Sequence, residues 1–177
     1  MTRTLSLRGK FSTQDNAQVV NHQIFSYEAN DLTRGWIVEA AYIWPSTTRV
    51  SVGAHGGFQA VATLTTDTLV DTGGFDDKSD ASDNRQIGWC NSGYLVRDSA
   101  VTDFLSNQSN PPNPAPFVID PEHVVAQALY LQFYTTSDQS VGAERDWNYM
   151  VILRAKKLDP KETILHLIKN VAQDITN

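Results

Sequence analysis

The feature that most constrains the fold is a series of eight short segments in which apolar residues alternate with polar ones or fill both sets of positions. The segments are residues 4–11, 19–27, 36–44, 58–64, 87–96, 117–119, 124–134 and 147–153, and a piece at 50–52 is either a further short strand or part of a loop. Because successive side chains of a strand point to opposite faces, a period of two predicts a β-strand. Turn-forming residues bound each segment and no helical period separates consecutive ones, which predicts an antiparallel all-β domain.

The segments at 4–11 and 36–44 differ in how many of their faces are predicted to be buried. In the first, polar residues alternate with Leu5, Leu7 and Phe11, which predicts a strand with one buried face. The second is apolar at both sets of alternating positions. Such a run is typical of a strand that is covered on both sides. Residues 36–44 are therefore predicted to have a packing partner on each face.

Alternation also assigns individual side chains to faces. Two groups of aromatic residues are predicted to be core because each shares a face with apolar neighbours: Trp36 and Trp44 with Val38 and Tyr42, and Trp147 with Tyr149, Val151 and Leu153. His22 is predicted to lie on the face opposite to Val19 and Phe25. The single cysteine, Cys90, lies in a strand-like segment and is predicted to be a buried, inert thiol.

Residues 159–177 change from the period of two to a helical period. Asp159, Pro160 and Glu162 occupy positions that favour the start of a helix. The apolar residues that follow recur at helical spacing, at Ile164, Leu165, Ile168, Val171, Ala172 and Ile175. Because a helix of about sixteen residues is marginal alone in water, this stripe is predicted to pack on the sandwich or on a neighbouring subunit. The chain is thus predicted to comprise a β-sandwich at 1–158 and a terminal helix at 159–177.

Length and charge limit the classes of protein that fit. A chain of 177 residues fits one domain with its own core. The net charge of −6 and the scattered basic residues argue against a nucleic-acid-binding surface, which needs clustered Lys and Arg. No apolar run approaches the roughly twenty residues of a membrane span, and residues 1–10 lack the apolar part of a secretory signal. We therefore expect no direct contact with nucleic acid, no membrane span, and synthesis in a host cytoplasm.

Residues 67–84 form a long polar segment with six aspartates and one lysine. Oxygen ligands at near-alternate spacing suit Ca²⁺, for which the candidates are Asp76, Asp77, Asp80 and Asp83. The segment lacks the EF-hand combination of aspartates, glycine and terminal glutamate. A solvated acidic loop is therefore the preferred interpretation, and neither a metal site nor a cofactor is predicted.

No motif of the sequence indicates catalysis. The four histidines are dispersed, and the chain has no nucleophile elbow, phosphate-binding loop or dinucleotide fingerprint. A carboxylate pair of the kind that hydrolyses glycosides stays open, because the separation of its two members is a three-dimensional quantity. No catalytic residue is predicted, and an enzyme on a β-sandwich fold is the lesser alternative.

The eight antiparallel strands, the long polar loops and the terminal helix resemble the single jelly-roll structural proteins of virus particles, including those of tailless phages. The resemblance covers residues 5–153 in the number and spacing of strands, and the strand at 148–153 running into 159–162 adds to it. It implies an all-β, antiparallel sandwich of jelly-roll type. It also implies a non-enzymatic capsid, vertex or decoration protein that forms homo-oligomers, contacts other virion proteins and resides in the virion. Because jelly rolls also host sugar-binding proteins, a carbohydrate-binding module or lectin-like adhesin is the alternative function.

An assembly role requires apolar side chains outside the sandwich core. Phe75 lies within the acidic segment, where a large apolar residue has no obvious local partner. Two further residues fall in the stretch at 100–106, and another follows the proline-rich run at 107–116. Together with two residues of the helical stripe, the predicted interface residues are Phe75, Phe104, Leu105, Phe117, Ile168 and Val171.

Overall fold

A computed structural model describes residues 3–14, 17–27, 34–46, 49–50, 56–69, 79–98, 114–137, 144–159, 161 and 164–165. The strands among these residues are β1 (Thr4–Gln14), β2 (Gln18–Ser26), β3 (Arg34–Pro45), β4 (Arg49–Val50), β5 (Gly56–Thr65), β6 (Gln86–Asp98), β7 (Ala115–Pro116), β8 (Val118–Ile119), β9 (Ala128–Ser137) and β10 (Glu144–Lys157). Each of the eight predicted segments contains or overlaps one of these strands. The predicted strand at 117–119 is observed as the two-residue strand β8, and the two-residue strand β7 just before it lies outside the predicted segments.

Within the described residues the strands form two sheets. Sheet A has the order β1-β10-β3-β7, and all of its pairs are antiparallel. Sheet B has the order β2-β9-β5-β6-β4, and β8 also pairs with β6. Its pairs are antiparallel except the short parallel contact between β4 and β6. This all-β architecture of two sheets agrees with the predicted β-sandwich.

The core lies between the inner faces of the two sheets, where aromatic rings from both meet. The ring of Phe133 on β9 lies 5.0 Å from that of Phe11 on β1 and 4.6 Å from that of Trp147 on β10. Burying one large apolar side chain contributes about 1.5–3 kcal/mol. Because β9 belongs to sheet B while β1 and β10 belong to sheet A, these three rings join the sheets. Trp147 is fully buried, as predicted from its apolar neighbours.

β2 departs from simple alternation at Asn21. The φ angle of Asn21 is 54°, in the left-handed region that asparagine tolerates better than most residues. The pairing of β2 with β9 slips between Val19 and His22 at this point. An extra residue in one strand turns the following side chains to the other face. His22 consequently lies on the inner face with Val19, with its ring 5.7 Å from that of Phe11, and its predicted placement on the opposite face is wrong.

A second irregularity lies in β3, at Glu39. Val38 pairs with Leu153 of β10, whereas Ala40 pairs with the preceding residue, Ile152. Glu39 is therefore the extra residue of a β-bulge. The bulge reverses the facing of every side chain that follows it relative to strict alternation.

The bulge corrects the predicted facing of the β3 aromatic residues. Ala41 and Ile43 are buried and face the core, so Tyr42 and Trp44 between them face outward. Trp36, on the other side of the bulge, packs against the core. The prediction that Trp36 and Trp44 share one core-facing side of the strand is wrong, because the bulge between them interrupts the period of two.

The chain leaves sheet A through Leu158, which is buried, and then turns helical. Lys161, Ile164 and Leu165 have helical conformation, and the backbone N–H of Lys161 donates to Asp159 Oδ1 at 3.2 Å. This is the capping contact predicted for Asp159. Residues 166–177 lie outside the described residues, so the extent and packing of the helix, and with them the division at 158/159, stay predictions. No helix among the described residues is long and apolar enough to cross a membrane.

Candidate interaction surface

The side of sheet A that faces away from the core carries apolar side chains on two neighbouring strands. Across the β3–β10 pair, Ala40 lies opposite Ile152 and Tyr42 lies opposite Met150. Trp44 is the next outward residue of β3. All five side chains are half-buried. We refer to Ala40, Tyr42, Trp44, Met150 and Ile152 as the outer apolar face.

β1, the neighbouring edge strand of the same sheet, has a different outward surface. Its outward residues are all polar and all exposed: Thr4, Ser6, Arg8, Lys10, Ser12 and Gln14. This pattern fits the solvated face predicted from the alternation at 4–11. Charged residues on an edge strand also discourage pairing with the edge of another sheet. β1 therefore adds no apolar side chain to the outward side of sheet A.

His123 holds the chain at the β3 bulge. The backbone N–H of Val38 donates to Nε2 of His123 at 2.7 Å, and the ring Nδ1 contacts the carbonyl oxygen of Asp120. The two contacts together require the neutral tautomer with its proton on Nδ1. Val38 is 4% exposed and His123 is 6% exposed, so water cannot readily replace the imidazole. His123 thus satisfies a buried backbone donor beside Glu39, the residue that sets which side chains of β3 face outward.

Two charged contacts border the outer apolar face. Arg154 Nε lies 2.5 Å from Glu39 Oε1, so the bulged residue is paired with the neighbouring strand. Lys10 Nζ lies 2.5 Å from Asp146 Oδ2, and the hydroxyl of Ser12 donates to the same carboxylate. The hydrogen bond from Lys10, followed by that from Ser12, lowers the pKa of Asp146. Because these groups are open to solvent, they contribute little to stability, but they place fixed charges beside the apolar side chains.

The outward side of sheet B carries a hydrogen-bonded network of polar side chains. Gln132 Nε2 donates to Asn21 Oδ1 at 2.8 Å and to Thr65 Oγ1 at 3.1 Å. The side chain of Asn21 in turn bonds the backbone N–H and C=O of Leu69, at 2.8 Å and 2.9 Å. Gln132 and Thr65 are buried. This network ties the segment after β5 to β2 and β9, which gives it a structural role.

The structure places one of the six predicted interface residues. Phe117 is half-buried and packs against the core, and its backbone N–H donates to the carbonyl of Ala41 at 2.9 Å. The other predicted interface residues lie outside the described residues and stay predictions: Phe75, Phe104, Leu105, Ile168 and Val171. The outer apolar face is not among the predicted interfaces, because two of its residues, Tyr42 and Trp44, are predicted to be core.

Two of the four calcium candidates are described, and both carboxylates have local partners. Asp80 Oδ1 accepts from the hydroxyl of Ser82 at 2.7 Å and from its backbone N–H at 2.8 Å, which lowers the pKa of Asp80. Asp83 forms an ion pair with Arg85 at 2.9 Å. The other two candidates lie outside the described residues: Asp76 and Asp77. In the part of the chain that the structure describes, no cluster of three or more His, Cys, Asp or Glu side chains could hold a metal ion.

Cys90 lies on the inner face of β6 and is buried in the core. Burial raises the pKa of its thiol to about 11. Because the thiolate is the reactive form of cysteine, a thiol in this environment is a weak nucleophile. The predicted burial of Cys90 is confirmed, and its low reactivity stays a prediction.

No protein-family model matches this sequence, and no curated protein matches it. Among solved structures, the chain is similar to one of turnip yellow mosaic virus, with a TM-score of 0.33 and 14% identity over 90% of this chain and 96% of that one. It is also similar to the VP2 subviral particle of infectious bursal disease virus, with a TM-score of 0.32 and 14% identity over 94% of this chain and 35% of that one. Both neighbours come from structures of a virus or of a subviral particle. At these TM-scores the likeness does not assign a function, which is inferred below from the surfaces of the chain itself.

Proposed function

We propose that this chain is a structural protein of a virus particle that acts through repeated contacts between copies and with other virion proteins. The observation that carries the proposal is the outer apolar face. An antiparallel sheet with one solvated side places polar residues at its outward positions, as β1 does. β3 and β10 place Tyr42, Trp44, Met150 and Ile152 there instead. A contiguous apolar patch of this kind on a folded domain marks an interaction site.

The strand order supports the finer proposal of a jelly roll. When β4 and β8 are set aside as short additions, consecutive strands along the chain belong to different sheets at every step except β5 to β6. Two sheets linked by such repeated crossings are typical of the jelly roll, in which two Greek keys form one sandwich. Jelly rolls host many functions, so the topology supports a virion role without selecting it.

The proposed role requires more contact area than the outer apolar face supplies. Stable interfaces bury about 1,200–2,000 Å² in total, to which five half-buried side chains contribute only a part. The predicted interface residues are proposed to supply the remainder, with Phe75 and Phe104 as the first candidates. Replacing either residue by serine is expected to weaken assembly more than it lowers the stability of the single subunit.

The proposed protein is made in the host cytoplasm, resides in the virion and has no catalytic role. Its negative charge supports a position in the shell, at a vertex or as a decoration rather than against the genome. A surface that lined nucleic acid would need clustered basic side chains to neutralise phosphates.

A carbohydrate-binding module is the second candidate, because one observation favours it as well. Tyr42 and Trp44 lie two positions apart on the outward side of β3, and Asn148 of β10 lies opposite Trp44. Two amphipathic rings beside an amide could stack on a sugar and bond its hydroxyls. The side-chain amide of Asn148 donates to Ser46 Oγ at 2.8 Å, which holds it at the edge of the aromatic pair.

Light scattering coupled to size-exclusion chromatography, combined with a glycan array, separates the two candidates. The full chain is expected to self-associate and to bind no glycan. Met150→Glu is expected to shift it toward smaller species, because the interface would have to bury a charge. Thr4→Glu is the matched control, since it adds the same charge to the outward side of sheet A beyond the apolar face. A monomer that binds a glycan, and loses that binding in Trp44→Ala, would contradict the virion proposal and support the sugar-binding one.

A further inference from the structure

We propose that the outer apolar face of one copy receives the C-terminal helix of a second copy. This inference rests on the proposed function, because it names the partner of the same surface. Each subunit would then carry one donor segment, residues 159–177, and one acceptor surface on β3 and β10. Exchange between two copies closes a pair, and head-to-tail exchange closes a ring or extends a lattice.

The first support comes from the start of the helix. Leu158 is 2% exposed, whereas Ile164 and Leu165 are 53% and 61% exposed. The chain is therefore anchored in its own sandwich up to the helix start and then presents two large apolar side chains to solvent. In the sequence these two residues begin a stripe that continues through Ile168 and Val171. Such a stripe is expected to be buried in the working form of the protein.

The second support is the match in dimensions between the stripe and the outer apolar face. If the predicted helix continues from Ile164 to Ile175, it spans about 17 Å, at roughly 1.5 Å per residue. From Ala40 to Trp44 a strand extends about 13 Å, at roughly 3.3 Å per residue. The face is two strands wide, or about 10 Å, which is close to the diameter of one helix with its side chains. A single helix thus suffices to cover the face.

The third support distinguishes a second copy from the same copy. Lys157, the last residue of β10, pairs with the first residue of β3, so the helix starts at one end of sheet A. Packing at this end is close, because a Cβ atom on Gly35 would lie 2.8 Å from a methyl group of Leu158. A helix folding back over its own strands would bring Ile164 and Leu165 onto the sheet first. Both are exposed instead, which favours an acceptor on another copy.

Disulfide trapping in the full chain tests the inference. Met150→Cys and Ile168→Cys are made as separate proteins, mixed in equal amounts and oxidised, and the products are separated on a non-reducing gel. The native thiol of Cys90 is buried and does not compete. We expect a covalent heterodimer in the mixture. We expect at least a tenfold lower yield when Lys161→Cys, at an exposed position outside the stripe, replaces Ile168→Cys.

The same trapping decides between a partner copy and the same copy. If the mixture gives no heterodimer but a double variant with both cysteines forms a monomeric cross-link, the helix docks on its own sheet and the inference is wrong. If neither sample cross-links, the helix does not reach the face and the inference is equally wrong.

A second measurement separates failure of the inference from failure of the proposed function. Leu165→Glu is expected to weaken self-association by on the order of tenfold or more while leaving the melting temperature unchanged, because Leu165 does not pack on its own sandwich. Self-association that Met150→Glu disrupts and Leu165→Glu does not would overturn the inference but keep the proposed function. A wild-type chain that remains monomeric at all concentrations would contradict both.

Discussion

Replacing His123 by alanine is expected to destabilise the protein at the point that sets the outer apolar face. The substitution removes the acceptor of the Val38 N–H, which is held at 2.7 Å, and the contact with the Asp120 carbonyl. A buried backbone donor left without a partner costs about 1–3 kcal/mol. Loss of the packed ring adds on the order of 1 kcal/mol. The expected fall in the free energy of unfolding is therefore about 2–4 kcal/mol, a large part of the roughly 5–15 kcal/mol that is typical of a domain.

Urea denaturation followed by tryptophan fluorescence measures this effect. The midpoint should fall while the slope with denaturant stays constant, because the surface exposed on unfolding is unchanged. Glu122→Ala is the matched control, since Glu122 is the exposed neighbour of His123 and its removal should change stability by less than about 0.5 kcal/mol. If His123→Ala falls within that same limit, the imidazole does not support the bulge and the assignment is refuted.

Three further predictions concern charge, metal and thiol chemistry. Hydrogen bonds from Lys10 and Ser12 lower the pKa of Asp146 in the folded protein, so its carboxylate stabilises the fold above its ordinary pKa of 3.8. This contribution is lost as the pH falls through the lowered pKa of the folded state. In Asp146→Asn, the urea concentration at the unfolding midpoint should therefore fall less on acidification than it does in the wild type. Millimolar Ca²⁺ should leave the melting temperature unchanged, whereas a rise that EDTA reverses would show a site in the acidic segment. Cys90 should react with a thiol reagent about a hundredfold more slowly in the native than in the denatured protein, because its pKa is raised from 9.0 to about 11; equal rates would show that the thiol is accessible.

The sequence predicted the all-β, two-sheet architecture and its longer strands because period-two patterning is a local property. β1 alternates without interruption, and its polar residues face outward as expected. The capping contact of Asp159 was equally readable, because an N-cap depends only on residues within one turn.

The outer apolar face could not be predicted by the same rule. One extra residue at Glu39 reverses the facing of Tyr42 and Trp44. The available signal was Glu39 itself, which is the one charged residue within 36–44. His123 was missed for a related reason, since its partner Val38 is 85 residues away in the chain. The sequence feature that indicated the outer apolar face was the apolar character of both faces of 36–44. The inner face packs in the core, whereas no further strand covers the outer one among the described residues.

The most direct test of the central claim is sedimentation of the purified full chain, with electron microscopy of the species that it resolves. The proposed function predicts a discrete closed assembly, a ring or a shell, that Met150→Glu converts to smaller species and Thr4→Glu leaves intact. A folded chain that sediments as a monomer at every concentration, with no difference between Met150→Glu and the wild type, would contradict the claim that the outer apolar face joins subunits.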